Sequence, residues 1–264
     1  MDNTEQGIYS SADPGVRHYV RFQCQGHTAY GLVKGDQVHE LKGNLFDKPT
    51  ETGWAFSIGD VDLLAPCEPT KILGLGWNYA SHLGGRPRPK NPEMFFMPPS
   101  AALGPGGSIV IPAGTTLCEY EGELVVVIGK EARQVPAEQA GQYIFGVTCG
   151  NDVSARDWQK NDLQWWRAKG CDTFAPFGPA IAQGLPYHDL LLTTRLNGQV
   201  KQQQRTSDLI FDVHQILSFV SQHVTLLPGD LIYTGTPGTT SPMTRGDAVE
   251  VEIEGVGVLR NGVR

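Results

Sequence analysis

The sequence is short of cysteine and of positive charge, and each shortage argues against a class of protein. Its five cysteines are odd in number and widely spaced, with no C-x-x-C pair or Cys/His cluster. Neither a disulfide framework nor a zinc site is therefore indicated. Lys and Arg number 21 against 28 Asp and Glu, which gives a net charge of -7. A nucleic-acid partner is not expected, because such a protein needs a basic face.

Long apolar runs are missing too, since none approaches the roughly 20 residues of a membrane helix. The first seven residues lack the basic region and apolar core of a signal peptide. We therefore expect a cytoplasmic protein with no membrane partner. Glycine and proline, in contrast, are plentiful at 32 and 18 residues. They are typical of many turns between short strands, so the sequence predicts a mainly β fold with a few helices (α+β).

Pattern changes along the chain predict three parts. Residues 1–15 are polar and expected to be loose. Residues 16–69 form a small β-rich N-terminal unit, with predicted strands at 19–22, 29–33 and 38–41. Pro66 and Pro69 mark its end, because proline interrupts a strand ladder. Residues 70–264 form the larger remaining domain.

Three helices are predicted in that larger domain. Pro136 favours the first turn of a short helix at 137–140. Ser154 is a candidate N-cap for a helix at 155–159. The clearest helix follows Ser207 and carries a core-facing stripe at helical spacing. The stripe consists of Ile210, Val213, Ile216, Leu217 and Val220.

Alternating glutamates mark the most informative stretch, residues 119–123, which runs into the apolar sequence LVVVIG. Because side chains alternate along a strand, Glu119, Glu121 and Glu123 are predicted to share one face. Carboxylates grouped in this way either face solvent or bind a hard divalent cation. Residues 250–254 repeat the pattern, and there we interpret it as a solvated strand face. The five residues alone therefore favour the solvent-facing interpretation.

Residues 74–76 form a Gly-x-Gly after a predicted strand, which invites a dinucleotide-binding interpretation. The third glycine of that motif would fall at position 79, which is Tyr79, and no βαβ pattern follows. We therefore reject it. The loop at 86–92 is basic and rich in proline, which is equally typical of a lid over an anionic substrate and of a solvated connector.

A series of short motifs, taken in chain order, resembles the fumarylacetoacetate hydrolase family between about residues 71 and 261. Each motif is weak alone, but several in the same order are strong evidence. The matching stretches are GWNY at 76–79 with His82, YEGELVVVIG at 120–129, NDVSARD at 151–157 with Gln159, Lys169, YTGTPG at 233–238, and GDAVEV at 246–251 leading to GVLRN at 257–261.

The resemblance implies a catalytic fold in which a mixed β-sheet rolls on itself, usually in a homodimer. It implies one Mg²⁺, replaceable by Mn²⁺ or Ca²⁺, held by Glu121, Glu123 and Asp152. Same-face neighbours on a strand lie roughly 6.5–7 Å apart, so two glutamates can converge on one ion but a third cannot easily. Glu119 is therefore predicted to stay outside the metal site.

The resemblance also implies roles for other residues. His82 would be the general base, and Lys169 would stabilise developing negative charge. Asn78, Tyr79, Gln159 and Thr236 would bind a small anionic 2-oxo acid substrate. The implied reaction is Mg²⁺-dependent hydrolysis of a C–C bond in an acylpyruvate-like 2-oxo acid or 1,3-diketo acid, by way of an enolate.

Three departures from the family pattern leave other reactions open. Gly85 stands where hydrolases of the family commonly have the Glu of His-x-x-Glu, Met97 replaces a frequent lysine, and Trp77 replaces arginine or leucine. Arg86, Arg88 or Lys90 could supply the contact that Met97 cannot. The absence of glutamate at position 85 favours decarboxylation or isomerisation of an oxo-dienoate or an oxaloacetate-like acid. A catalytically weak paralogue that binds metal and dicarboxylates is the non-enzymatic alternative.

Overall fold

The computed structural model describes residues 15–264, and its main feature is extensive β structure. Nineteen strands and three α-helices occur in this range, which confirms the predicted mainly β fold with a few helices. No helix within residues 15–264 is long and apolar enough to cross a membrane. The predicted loose segment 1–15 lies outside the described residues except for Gly15.

Twelve strands join in one sheet that runs from the N-terminal unit into the rest of the chain. Its main path, in sheet order, consists of β4 (Thr50–Ser57), β3 (Gln37–Lys42), β2 (His27–Lys34), β1 (Arg17–Cys24), β14 (Ala175–Gln183), β12 (Ile144–Asn151), β11 (Gly122–Ile128), β17 (Leu231–Tyr233), β6 (Ile72–Gly76) and β7 (Glu93–Met97). Off this path, β5 (Asp62–Leu64) pairs with β1, and β8 (Ala102–Leu103) pairs with β14. The sheet is mixed, because β17 runs parallel to β6 whereas β11 and β12 are antiparallel.

A second sheet of five strands packs against the first. In sheet order it consists of β16 (Gln199–Arg205), β15 (Leu191–Leu196), β18 (Ala248–Ile253), β19 (Gly257–Val263) and β9 (Ser108–Ile109). A short pair, β10 (Cys118–Glu119) with β13 (Ser154–Ala155), stands apart. The main core lies between the sheets, where Leu124 and Val126 of β11 join Leu192, Val251 and Leu259 in one buried cluster.

The N-terminal unit is joined to the rest of the chain by strand pairing. The predicted strands at 19–22, 29–33 and 38–41 lie within β1, β2 and β3, whereas sequence reasoning missed β4. β1 pairs with β14, with Tyr19 opposite Ile181. The carboxylate of the fully buried Asp230 accepts hydrogen bonds from the backbone N–H groups of Thr70 and Lys71. One continuous sheet therefore crosses the sequence boundary that the two prolines mark.

Every residue of β11 is buried, as its apolar sequence predicts. Leu124, Val126 and Ile128 face one core cluster, while Val125 and Val127 face another. The expectation that residues 119–123 continue this strand is wrong, since β10 ends at Glu119 and β11 begins at Gly122. The strand is interrupted because side chains take the backbone hydrogen bonds there: Asn151 Oδ1 accepts from the N–H of residue 121, and Gln202 Oε1 from that of Gly122.

The three α-helices are short. They are α1 (Arg156–Asn161), α2 (Trp166–Gly170) and α3 (Val213–Ser221). Pro136 precedes a 3-10 helix, Ala137–Tyr143, rather than an α-helix. Ser154 does not cap α1, because it lies in β13 and its hydroxyl donates to the Asp152 carbonyl.

The predicted start of α3 is also wrong, because Ser207 lies in a separate 3-10 turn, Thr206–Asp208. Asp212 is the cap, and its side chain accepts from the backbone N–H of Gln215 at 2.8 Å. Ile210 therefore precedes the helix. The other four residues of the predicted stripe are buried, as expected: Val213, Ile216, Leu217 and Val220.

We expect Asp212→Ala to lower the free energy of unfolding by about 1 kcal/mol, because it removes a capping box. Ser207→Ala is the matched control, since it removes only an exposed hydrogen bond to Asp189. We expect that change to stay within about 0.5 kcal/mol. Urea denaturation of both variants measures the difference. Equal losses would contradict the assignment of Asp212 as the helix cap.

Candidate metal centre and active site

Three buried carboxylates meet where two central strands of the main sheet, β11 and β12, have their adjacent ends. Glu123 lies in β11, Glu121 lies just before it, and Asp152 directly follows β12. The antiparallel register places Gly122 opposite Asn151, so that Asp152 N donates to Glu121 O at 2.9 Å. Oxygen atoms of the three carboxylates lie within 4.8 Å of one another. The structure thus brings together the three predicted metal ligands.

Lys169 of α2 is buried against this group and is 2% exposed. Its Nζ donates to Glu121 Oε2 and to Asp152 Oδ2, each at 2.6 Å. Burial opposes a charged ammonium, but the two carboxylates outweigh it and raise the pKa of Lys169 above its usual value. Lys169 therefore places a fixed positive charge beside the candidate metal centre.

Arg156, the first residue of α1, provides a second cation that sequence reasoning missed. Its Nη2 donates to Glu121 and its Nε donates to Glu119 Oε2 at 2.8 Å, while Nη1 donates to Gln159. Although burial opposes ionisation, Arg156 and Lys169 hold the pKa of Glu121 below its usual range. Glu119 is occupied by Arg156 and Thr240. Its predicted place outside the metal cluster agrees with these contacts.

The donor set fits a divalent cation. When ionised, Glu119, Glu121, Glu123 and Asp152 carry four negative charges against the two positive charges of Lys169 and Arg156. Two negative charges then remain uncompensated in a buried site. In addition, Asp152 Oδ1 is buried with no hydrogen-bond partner in the described structure. Hard divalent cations prefer carboxylate oxygens of this kind.

The other glutamate triplet has a different environment, as predicted. Glu250, Glu252 and Glu254 are at least partly exposed. Each forms an ion pair with an arginine at the protein surface. A charge with both water and a partner needs no metal to compensate it.

The crowded carboxylates predict opposite pH dependence for stability and metal binding. Burial, followed by the charge of neighbouring carboxylates, raises the pKa of Glu123; burial raises that of Asp152 to about 7. Between pH 4 and 7 the metal-free folded protein therefore holds protons on Glu123 and Asp152 that the unfolded chain has lost, so its stability falls as pH rises. Metal binding displaces these protons, and we expect Mg²⁺ affinity to rise at least about tenfold per pH unit below pH 7.

Thermal unfolding in EDTA and Mg²⁺ titration calorimetry, both at pH 5, 6, 7 and 8, test these trends. The melting temperature in EDTA should decline across the series, while the dissociation constant for Mg²⁺ should fall. A metal affinity that does not change with pH would contradict the protonation of the empty site.

His82 lies at the cavity wall, in a 3-10 turn that follows Tyr79. Its Nδ1 is 2.6 Å from the carbonyl oxygen of Gly238, and its Nε2 is 3.8 Å from Glu121 Oε1. A carbonyl can only accept a hydrogen bond, so in the neutral imidazole Nδ1 carries the hydrogen and Nε2 has the free electron pair. His82 can therefore act as a base toward a molecule bound beside Glu121.

The cavity itself measures about 390 Å³ and opens above the carboxylates. Gln159 and Thr236 line it, as predicted for substrate-binding residues. Thr236 is held in place, because its hydroxyl donates to the Gly122 carbonyl and accepts from Gln202.

Asn78 and Tyr79 do not line this cavity, so their role as substrate-binding residues stays a prediction. Both are fully buried. The amide of Asn78 donates to the carbonyls of Phe211 and Thr234 and accepts from the N–H of Phe211. These hydrogen bonds join two loops of the chain, and they occupy both the amide nitrogen and the amide oxygen of Asn78. Asn78 supports the architecture around the site.

Aromatic rings form the outer wall of the cavity. The ring centroid of Trp165 lies 5.3 Å from that of Trp77 and 5.5 Å from that of Phe95. Trp77 has a positive φ of 56° and carries the guanidinium of Arg86 over its ring at 5.0 Å. Met97, which stands where the family frequently has a lysine, lies in the core and not at the cavity. Of the basic residues in the 86–92 loop, Arg86 is the one that lines the cavity.

Comparison with known proteins identifies the family. The profile described as "Fumarylacetoacetate (FAA) hydrolase C-terminal" matches residues 71–264. The chain belongs to the fumarylacetoacetate hydrolase family. A second profile, "Rv2993c-like, N-terminal", matches residues 17–66. Members of the family generally use a divalent metal, in agreement with the buried acidic cluster.

Relatives whose names state an activity include an isomerase and a tautomerase. The chain is 48% identical to Protein Rv2993c of Mycobacterium tuberculosis, over 86% of this chain and 87% of that one. It is 39% identical to "Oxaloacetate tautomerase FAHD2A, mitochondrial" of Bos taurus, over 77% and 70%. The crystal structure of 2-hydroxyhepta-2,4-diene-1,7-dioate isomerase from Mycobacterium marinum superposes with a TM-score of 0.89 at 42% identity, covering 94% of this chain and 98% of that one.

Proposed function

We propose that the protein is a Mg²⁺-dependent isomerase or tautomerase that interconverts isomers of a small 2-oxo acid by moving a carbon-bound proton. The observation that carries this proposal is the position of His82. A backbone carbonyl holds its Nδ1, and its Nε2 lies 3.8 Å from Glu121 Oε1 at the wall of the cavity. The isomerase and tautomerase named above support the same class of reaction.

Gly85 is the second reason to favour proton transfer. It has a φ of 86°, a region that side-chain-bearing residues seldom adopt. The loop geometry thus disfavours glutamate at the position where a carboxylate would orient His82. A histidine held by a neutral carbonyl is a weaker base than one held by a carboxylate. The glutamate that orients the histidine and the attacking water in hydrolases of the family is thus missing, which favours proton transfer on the substrate over activation of water.

Each residue of the site has a separate role in this proposal. Glu121, Glu123 and Asp152 would hold Mg²⁺, or Mn²⁺ or Ca²⁺ in its place. The bound cation would supply Lewis acidity toward the oxygens of the 2-oxo acid and so acidify the neighbouring carbon. Lys169 offsets negative charge that develops on substrate oxygen. His82 removes the carbon-bound proton and returns it at the second position.

Hydrolysis of a C–C bond in an acylpyruvate-like acid is the second candidate, and it is the reaction that the sequence resemblance places first. The same acidic cluster, Lys169 and His82 would serve it, with His82 activating water. Decarboxylation is a third use of the same groups. The cavity of about 390 Å³ accommodates substrates of either kind.

A substrate panel distinguishes these reactions. Oxaloacetate, acylpyruvates and oxo-dienoates are each followed by absorbance with Mg²⁺ and with EDTA. We expect a Mg²⁺-dependent change of keto–enol or double-bond absorbance with no loss of carbon. Two product acids would instead indicate hydrolysis, and carbon dioxide would indicate decarboxylation. Metal binding without turnover of any substrate would favour the catalytically weak paralogue and contradict the proposal.

We expect His82→Ala to reduce turnover at least about 100-fold, because general-base catalysis typically contributes that much. Binding of oxalate to the Mg²⁺-loaded protein should persist, since His82 is not a metal ligand in this proposal. His27→Ala is the control, as His27 lies exposed in β2. Steady-state kinetics and calorimetry measure both properties. Normal turnover of the His82 variant would show that another group is the base.

The homodimer remains a prediction. Beside the cavity, the edge strand β7 carries Phe96, which is 55% exposed, and Leu163 and Trp166 are more exposed still. A second copy of the chain covering this apolar surface would be consistent with the predicted dimer.

A further inference from the structure

A second cavity, here called the N-terminal cavity, lies where the β1–β4 strands meet the rest of the main sheet. It measures about 670 Å³. Its walls include Arg17, Tyr19, Phe46, Lys48, Phe145 and Gln183. The proposed reaction uses none of these residues.

The floor of the N-terminal cavity is aromatic. The ring centroid of Phe145 lies 5.3 Å from that of Tyr19 and 4.9 Å from that of Phe46, which meets it edge-on. Phe46 and Phe145 are only partly buried, so both rings reach the cavity. Buried leucines, Leu41 and Leu45, lie at the same wall. Such a surface favours a flat ring, which can pack edge-to-face or offset against the phenyl groups.

The rim of the N-terminal cavity is positive, although the chain as a whole carries a net charge of -7. Arg17, Lys34 and Lys48 line it, together with one acid, Glu51. Glu51 is paired with Lys34 at 2.5 Å. Within residues 15–264, the side chains of Arg17 and Lys48 have no hydrogen-bond or ion-pair partner. Two free cations at the mouth of an aromatic cavity favour an anionic group on the ligand.

Polar atoms inside the cavity add directional contacts. Gln183 Oε1 accepts from the Tyr19 hydroxyl at 3.3 Å. The amide of Gln183 also has N–H groups that can donate to an oxygen of the ligand. A few polar groups in a mostly apolar cavity are typical of small-molecule sites.

This cavity is separate from the acidic cluster. Phe145 lies near the start of β12 and Asp152 directly follows its end. Seven residues of extended strand span about 23 Å. A molecule in the N-terminal cavity therefore cannot be the substrate bound beside His82.

We propose that the N-terminal cavity binds a small organic anion in which a flat ring is joined to a carboxylate or phosphate. The ring packs against Phe46 and Phe145, and the anionic group lies between Arg17 and Lys48. Aromatic acids and nucleoside monophosphates share this chemistry. The site is an accessory site, since the catalytic groups lie elsewhere.

Titration calorimetry with the full chain tests the proposal with four probes. Benzoate and AMP each combine a ring with an anion, benzamide has the ring without the charge, and inorganic phosphate has the charge without a ring. We expect benzoate or AMP to bind at least tenfold more tightly than both single-feature probes. Which of the two binds decides between an aromatic acid and a nucleotide. Equal binding of phosphate, or no binding of either ring anion at millimolar concentration, would overturn the proposal.

Variants of the cavity residues test whether the ring anion binds in the N-terminal cavity. Arg17→Ala with Lys48→Ala should weaken the ring anion at least tenfold, and both positions are exposed, so the fold should survive. Phe145→Leu should weaken it through loss of the ring contact. Lys201→Ala is the control, because Lys201 is an exposed cation of β16. An affinity that the double variant leaves unchanged would show that the anion binds elsewhere.

Discussion

Glu123→Gln is expected to weaken Mg²⁺ binding at least 100-fold and to reduce turnover to the level seen in EDTA. The exchange removes one of three converging carboxylates. The expected loss exceeds the 10- to 100-fold that changes outside the ligand set typically cost. The glutamine keeps an oxygen that can accept from Gly235 N, the partner of Glu123 at 2.7 Å. Calorimetry with Mg²⁺ measures the affinity.

Stability provides an independent readout for this variant. Burial and neighbouring carboxylates raise the pKa of Glu123, so its ionised form is costly in the empty site. A neutral amide should leave the melting temperature in EDTA unchanged or higher. Glu250→Gln is the matched control, since it belongs to the other Glu-x-Glu stretch and pairs with Arg260 at the surface. Unchanged Mg²⁺ affinity in the Glu123 variant would refute its assignment as a ligand.

Lys169→Met is expected to destabilise the metal-free protein by about 3–5 kcal/mol, the typical cost of removing one partner of a buried ion pair. Methionine fills much of the same volume but leaves Glu121 and Asp152 without the ammonium that bonds both. Mg²⁺ should restore much of the stability, because it supplies positive charge at the same place. Turnover should also fall, because the charge beside the reacting oxygens is lost.

Urea denaturation in EDTA and in Mg²⁺ measures the stability of this variant. Lys160→Met is the control, because Lys160 lines the same cavity but is exposed. That change should stay within about 0.5 kcal/mol. If Lys169→Met left the EDTA stability intact, the ammonium would not be balancing buried carboxylate charge.

Local pattern and motif order together predicted the parts of the structure that depend on short stretches of chain. The apolar run of β11 and the buried stripe of α3 follow from the spacing of apolar residues. The three carboxylates came from the family resemblance, and the β11–β12 register brings them together.

Features that depend on distant contacts were beyond sequence reasoning. The partner of His82 is the carbonyl of Gly238, 156 residues away in sequence. Arg156 was part of a recognised motif, but its role depends on α1 approaching Glu119 and Glu121. Asn78 belongs to another motif, yet its hydrogen bonds to Phe211 and Thr234 use its polar atoms for architecture. Side-chain type does not reveal which residues of a motif will face a cavity.

The pairing of β1 with β14 has a consequence for how this chain can be divided. Two family profiles meet between residues 66 and 71, which suggests a natural place to cut. A chain beginning at residue 70 would lose β1 and leave Ile181–Gln183 of β14, the residues that pair with β1, as an unpaired edge. Exposed apolar edges of this kind recruit other strands and promote aggregation. The two profile regions should therefore unfold in one cooperative transition, and the catalytic region should be insoluble when produced alone.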